Sequence, residues 1–190
     1  MPDFSPTINT YLSDMLALEQ HMLKPLQTQA GDKAVLALPT AARIIRETLN
    51  TRTAHIAALE SRLEALGGHQ GSGVKTAVAS AIGGIAAAVD TARKTQVSKD
   101  LRDDYAALCL ASASYTMLTA AALGLRDLAT AELAKRHLTD DASLIMRMSA
   151  ALPVVVLCEL RDAGASVDTS AASEAEKNAE AAWREGAARS

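Results

Sequence analysis

Over four long stretches of this chain an apolar residue returns every third or fourth position, and each stretch ends near glycine or proline. That spacing is one face of an α-helix and does not suit a strand, whose side chains alternate. In the first stretch the stripe is Ile8, Leu12, Met15, Met22 and Leu26, and Glu19 interrupts it. Ser5-Pro6 starts this helix as N-cap and first-turn proline, and Gly31 stops it after Ala30. Pro25 is expected to bend or open the last turn. Pro39-Thr40 starts the second helix, which runs to about Leu66 before Gly67-Gly68. The third starts at Ser98 as N-cap, with Asp100, Asp103 and Asp104 near the positive end of its dipole, and runs to about Leu123. The fourth runs from about Asp127 to about Ala151, and Pro153 is expected to open a separate short helix, PVVVLCELRDAG.

Composition agrees with helices. Apolar residues make up 49% of the 190 residues and aromatics only 3%. Alanine and leucine suit close-packed helices and support a sheet poorly. The connection between the second and third helices is long. It opens with the flexible GGHQGSG and continues into a shorter helix with the stripe Val74, Val78, Ala81, Ile85 and Val89. A connection of that length lets the third helix run parallel to the second. The expected fold is therefore all-α: a four-helix bundle over residues 1–164 with an extra crossover helix and a short C-terminal helix. Residues 165–190 are rich in Ala, Glu and Ser, with Trp183 as the one large apolar residue. They are expected to form a disordered or loosely helical tail.

Several function classes fit poorly. The net charge is −3 with acids and bases interspersed, so no basic face for nucleic acid stands out. Cys109 and Cys158 lie far apart in apolar runs and read as buried free thiols. The N-terminus lacks a signal-peptide pattern, and no uninterrupted apolar run of about 18 residues suggests a membrane span. A reducing cytoplasm is the expected setting. Segment 74–92 carries small residues at four-residue spacing, Ser80/Gly84/Ala88 and Ala79/Gly83/Ala87. That suits packing within the bundle, a homodimer contact or, as a further alternative, contact with a membrane surface, although the segment lacks the basic face typical of membrane-surface helices. GGHQGSG lacks the spacing and lysine of a phosphate loop. No local catalytic set and no small-molecule substrate can be identified, and the chain reads as leaning away from an enzyme.

The seams carry the polar residues that matter. The second helix has the stripe Ile45, Leu49, Arg52, Ile56, Leu59, Leu63 and Leu66. The third has Leu101, Tyr105, Leu108, Ser112, Tyr115 and Thr119. The fourth has Ala131, Ala134, Leu138, Asp141, Ile145, Met148 and Leu152. Glu19, Arg52 and Asp141 thus sit near mid-helix, where they form a buried polar network together with Ser112, or lie at the bundle rim, or hold a metal. A buried charge costs several kcal/mol unless paired, and Glu19–Arg52–Asp141 pairs by charge. His137 is four residues before Asp141 and suits an ion pair with it. His21 and His69 read as solvent-facing.

An acid at mid-helix in a bundle with a crossover resembles the ferritin-like superfamily. YLSDMLALEQHMLKPL, HIAALESRLEALGG, SASYTML and AELAKRHLTDDASL resemble its small bacterial, stress-associated (YciF-type) branch over roughly residues 8–160. The resemblance implies a di-metal centre with a Glu from each of two helices and a Glu-x-x-His pair from each of the other two. This chain keeps Glu19 and departs elsewhere. His55 has Arg52 rather than Glu three residues before it, the third helix offers no Glu or His, and Asp140 and Asp141 have no His three residues on. The expected protein is metal-poor and non-enzymatic, with a stress-linked role implied by the resemblance and no cofactor. The alternative is an iron or manganese redox protein with ligands drawn from Glu19, Glu47, His55, His137, Asp140 and Asp141.

Overall fold

The computed structural model describes residues 5–67 and 96–189. The expected helix in segment 74–92 and the loop histidine His69 lie outside them. The described residues are all-helical and contain no strand. Six helices follow one another: α1 (Ser5–Ala30), α2 (Lys33–Leu36), α3 (Pro39–Ala65), α4 (Val97–Gly124), α5 (Leu128–Asp162) and α6 (Ala171–Ala188).

The long helices α1, α3, α5 and α4 pack in a ring, each against the next, with α4 closing back on α1. Their directions follow from which residues meet. Glu19 meets Tyr115, and Gln29 meets Asp104, so α1 and α4 are antiparallel. Arg52 meets Asp141, and Arg62 meets Asp127, so α3 and α5 are antiparallel. Glu19 also meets Arg52 across the α1–α3 hairpin, whose short connection makes antiparallel neighbours. Hence α3 and α4 run the same way.

Local chemistry sets the helix ends. Asp32 caps the single turn of α2 by accepting from the Ala34 N–H. Gly67 ends α3 at φ 69°, a left-handed conformation that costs glycine little. Between α4 and α5 the same position is filled by Arg126 at φ 61°. The Asp127 N–H reaches Ala122 O at 2.8 Å and the Arg126 N–H reaches Leu123 O, which satisfies the last carbonyls of α4. Asp127 then caps α5 and binds both Thr130 and Arg62.

Several expectations about helix ends need correction. Pro153 opens no new helix: α5 runs unbroken from Leu128 to Asp162, so the short C-terminal helix is its last part. A proline inside a helix loses a hydrogen bond and crowds the preceding turn at a cost of about 3 kcal/mol. Burial of Met148, Ala151 and Val155 on either side offsets that cost. Likewise α1 continues through Pro25, with Met22 and Leu26 buried. Ser98 is not the cap of α4, which is Gln96. Its N–H and Oγ instead donate to Glu159 near the end of α5.

The core-facing stripe is as read in α1 and turned by a few tens of degrees in the other three. In α3 the buried line is Ala41, Ile45, Thr48, Arg52, His55, Leu59 and Leu63, while Leu49, Ile56 and Leu66 stand half-exposed at its edge. In α4 it is Leu101, Asp104, Leu108, Ala111, Tyr115, Leu118 and Ala122. In α5 it includes Ala134, His137, Asp141, Leu144, Met148 and Ala151. Small and polar residues such as Thr48, His55, Ala111 and His137 share the centre of these faces with buried aliphatics, and the aliphatics Leu49, Ile56, Leu138 and Ile145 stand at the flank. A reading that follows aliphatics alone lands on the flank. Cys109 and Cys158 are free but half-buried rather than buried, for the same reason.

The tail contains the helix α6, which packs on α5 yet has no buried residue. Trp183 remains 63% exposed. It closes one side of a groove of about 350 Å³ whose floor includes Cys109 and Ser112 of α4 and Ala142 and Met146 of α5.

Candidate functional site: a buried polar centre

Each of the four long helices sends polar groups to one point at mid-bundle. α1 supplies Glu19, α3 supplies Arg52 and His55 one turn apart, α4 supplies Tyr115, and α5 supplies His137 and Asp141 one turn apart. The i, i+3 and i, i+4 spacings put each pair on one face. Glu19, Arg52, Tyr115 and Asp141 have no solvent exposure, and His55 and His137 very little.

Glu19 Oε1 is the hub. It accepts from Arg52 Nη1 at 3.0 Å, from His55 Nδ1 at 3.1 Å and from the Tyr115 hydroxyl at 2.6 Å. Arg52 Nη2 donates to Asp141 Oδ1, so one guanidinium bridges two carboxylates. The second nitrogen of His55, Nε2, faces Asp140 Oδ2 at 3.1 Å. Both His55 nitrogens thus meet carboxylates, and both bonds form together only when the ring carries two protons. Tyr115 gives its proton to Glu19, so its oxygen accepts from His137 Nδ1 at 2.9 Å. That assigns the His137 tautomer from the network. The two imidazoles stack, with ring centroids 3.7 Å apart and 8° between planes.

The electrostatics follow from this arrangement. Burial lowers the His137 pKa to about 3, aided by the charges of His55, Arg52 and Arg136, so this ring is neutral. Burial raises Asp141 to about 6 against the pull of Arg52. Burial alone would lower Arg52, but Glu19 and Asp141 more than reverse it. Burial, then the Glu19 carboxylate, pushes the Tyr115 phenol far above its ordinary range, so it stays protonated as a donor. Two buried carboxylates, Glu19 and Asp141, thus share the one buried guanidinium of Arg52. Glu19 Oε2, Arg52 Nε and Asp141 Oδ2 are buried and make no hydrogen bond among the described residues. Each such orphan costs on the order of 1–3 kcal/mol.

Of the residues singled out from sequence, the structure brings together Glu19, Arg52, His55, His137, Asp140 and Asp141. Asp140 stands at the rim with its side chain 56% exposed. Two do not join. Ser112 Oγ is buried, makes no hydrogen bond among the described residues, and lines the groove beneath Trp183. Glu47 lies on the outside of α3 with Arg147 at 2.8 Å and Arg43 at 3.8 Å, because five residues before Arg52 is more than a third of a turn around the helix. The expected His137–Asp141 ion pair is absent, since His137 is neutral and turned to Tyr115. Tyr115 had read only as a core tyrosine. The signal that could have placed it is its level on α4, opposite Glu19 in an antiparallel pair.

This donor set does not fit a divalent ion. Arg52 occupies the space between Glu19 and Asp141, His55 spends both nitrogens on carboxylates, and His137 donates from Nδ1. Among the described residues no group of three or more His, Cys, Asp or Glu is placed to hold a metal.

A third buried acid, Asp104, lies away from this centre, toward one end of the bundle. Asp104 had read as an acid near the positive end of the helix dipole, and it sits on the inner face of α4. Burial raises its pKa to about 7, opposed by the Gln29 hydrogen bond at 3.3 Å and reinforced by Asp100 and Asp103.

The membrane expectation also changes. α4 and α5 are each long and apolar enough to cross a membrane by length and composition. The test of an uninterrupted apolar run missed this because Ser, Thr and Tyr break α4 without adding charge. Only 28% and 22% of their most apolar stretches are buried. No family model and no curated protein matches this chain.

Proposed function

We propose that this chain is a metal-poor, non-enzymatic ferritin-like bundle in which an arginine replaces the metal centre. The observation that carries this reading is the Arg52 guanidinium held between Glu19 and Asp141 with no exposure. A cation fixed among would-be ligands repels a divalent ion and neutralises the acids itself. The parallel course of α3 and α4 supports the ferritin-like part of the reading.

The centre acts as a structural keystone. Its orphaned atoms make it a poor source of stability compared with apolar packing, so its role is to select one helix rotation and register. Glu19 satisfies donors from two other helices, α3 and α4, and any turn of one helix breaks several bonds at once. A stress-associated setting is what the resemblance implies.

Elemental analysis tests the metal claim. Full-length protein expressed in iron- and manganese-supplemented medium should carry well under one metal per chain. Two equivalents of iron or manganese, with an absorption band that changes on exposure to oxygen, would overturn this reading in favour of a di-metal redox protein.

A further inference from the structure

We infer that Asp104 and Gln29 form a proton-operated clasp between the end of α1 and the first turns of α4, closed while the Asp104 carboxyl holds its proton and open once it ionises. The carboxyl and the amide are both planar two-atom forks. One arm of each already meets the other, with Gln29 Nε2 donating to Asp104 Oδ1 at 3.3 Å. The arms left over are Asp104 Oδ2 and Gln29 Oε1, both buried and both without a hydrogen bond among the described residues. While Asp104 is ionised both are acceptors, so neither can serve the other. A proton on Oδ2 turns the carboxyl into a donor to Oε1, and the pair closes through two parallel hydrogen bonds. One proton thus removes two orphans, each of which costs stability.

The surroundings favour the protonated form. Burial acts first on Asp104, which is 7% exposed. The Gln29 hydrogen bond opposes it, and the acids Asp100 and Asp103 of α4 add to it. Asp100 is itself acted on by burial, by Asp103, by Asp32 from the turn before α2 and by Glu159 from α5. No base offsets these acids at Asp104, because Arg102 is turned to Asp103. An ionised Asp104 therefore stands buried in a field of its own sign. A proton needs only the two forks, whereas a metal ion needs a larger ligand set than the described residues place here.

The clasp sits at a junction. The Gln29 carbonyl accepts from the Asp32 N–H at 3.0 Å, and Asp32 caps α2. The other polar fastening at this end, Ser98 to Glu159, ties α4 to α5 rather than to α1. The next hydrogen bond between α1 and α4 among the described residues is Tyr115 to Glu19, about three turns along α4. Ionisation of Asp104 therefore loosens α4 against α1 at this end while the polar centre stays bonded. The folded pKa is raised, so the clasp is closed in acid and opens as pH rises through about 7. The inference does not depend on the metal content of the polar centre.

NMR on the full-length, isotope-labelled protein tests it. The Asp104 carboxyl carbon is expected to titrate near pH 7, and the Gln29 side-chain amide resonances should move with the same midpoint. Hydrogen-exchange protection of the backbone amides of residues 101–108, corrected for intrinsic rates, should fall about ten-fold between about pH 5.5 and about pH 8, the fall in the protonated fraction for a midpoint of about 7. Asp104→Asn, whose amide donates to Oε1 and accepts from Nε2 at every pH, should keep that protection constant. An Asp104 carboxyl that titrates at the ordinary carboxylate value overturns the inference, as does a Gln29 amide that stays still while Asp104 titrates. So does protection that holds in the wild type at about pH 8, or that falls equally in Asp104→Asn.

Discussion

Arg52 bridges two carboxylates out of contact with solvent, so removing it strands two charges at once. Arg52→Met should therefore destabilise by about 3–5 kcal/mol, as other broken buried pairs do. Glu19→Gln should cost less, because the amide oxygen still accepts from Arg52 and Tyr115. Replacing Glu19, Arg52 and Asp141 together by apolar residues should recover much of the loss, since no charge is then left behind. Urea denaturation of the Glu19/Arg52 double-mutant cycle measures the coupling, and a value near zero would remove the keystone argument. Asp104 makes a different prediction. Its folded pKa of about 7 lies above the ordinary carboxylate value, so the folded protein binds a proton that the unfolded chain releases. Its contribution to stability is therefore full below about pH 4 and is lost as pH rises through 7. Asp104→Asn keeps the contact with Gln29 and cannot ionise. It should raise stability at pH 8 by about 2 kcal/mol and change it little at pH 5, read from melts across that range; equal effects at both pH values would contradict a buried, titrating Asp104.

Among the elements, α6 and α5 differ in how they are held. α6 buries no residue, and its one large apolar side chain is mostly exposed. Ending the chain after Ala165 should lower the melting temperature by less than about 3 °C, the equivalent of roughly 1 kcal/mol for a chain this long. A larger fall would mean that Trp183 anchors the tail in the groove. α5 shows the opposite balance, since packing on both sides carries it across Pro153. The long helices were legible from periodicity and from their start and stop residues. The continuity of α5 was not, because a proline weighs heavily in local rules and tertiary burial enters none of them. Helix rotation was legible only for α1. There the aliphatic stripe and the buried face coincide, whereas in α3, α4 and α5 aliphatics share the centre with Thr48, His55, Ala111 and His137.

For the whole molecule, chain order and connection lengths carry most of the topology. Short turns make the α1–α3 and α4–α5 hairpins, and the long connection after Gly67 lets α4 run parallel to α3 across the bundle. Four helices of similar length then bring their midpoints to one level, which is why Glu19, Arg52 and Asp141 could be matched by charge before any contact was known. The sequence by itself determined that the chain is helical, where three of its four long helices run, and that an arginine stands where acids would otherwise repel. Only the tertiary structure decided the rest: that Tyr115, His55 and His137 complete the centre, that Ser112 and Glu47 stay out of it, and that Asp104 is buried. The physical reason is that periodicity locates a face to within about one residue, or 100° of rotation. Hydrogen-bond partners are chosen within a few tenths of an ångström. That choice depends on all four helices packing together, and no single helix encodes it.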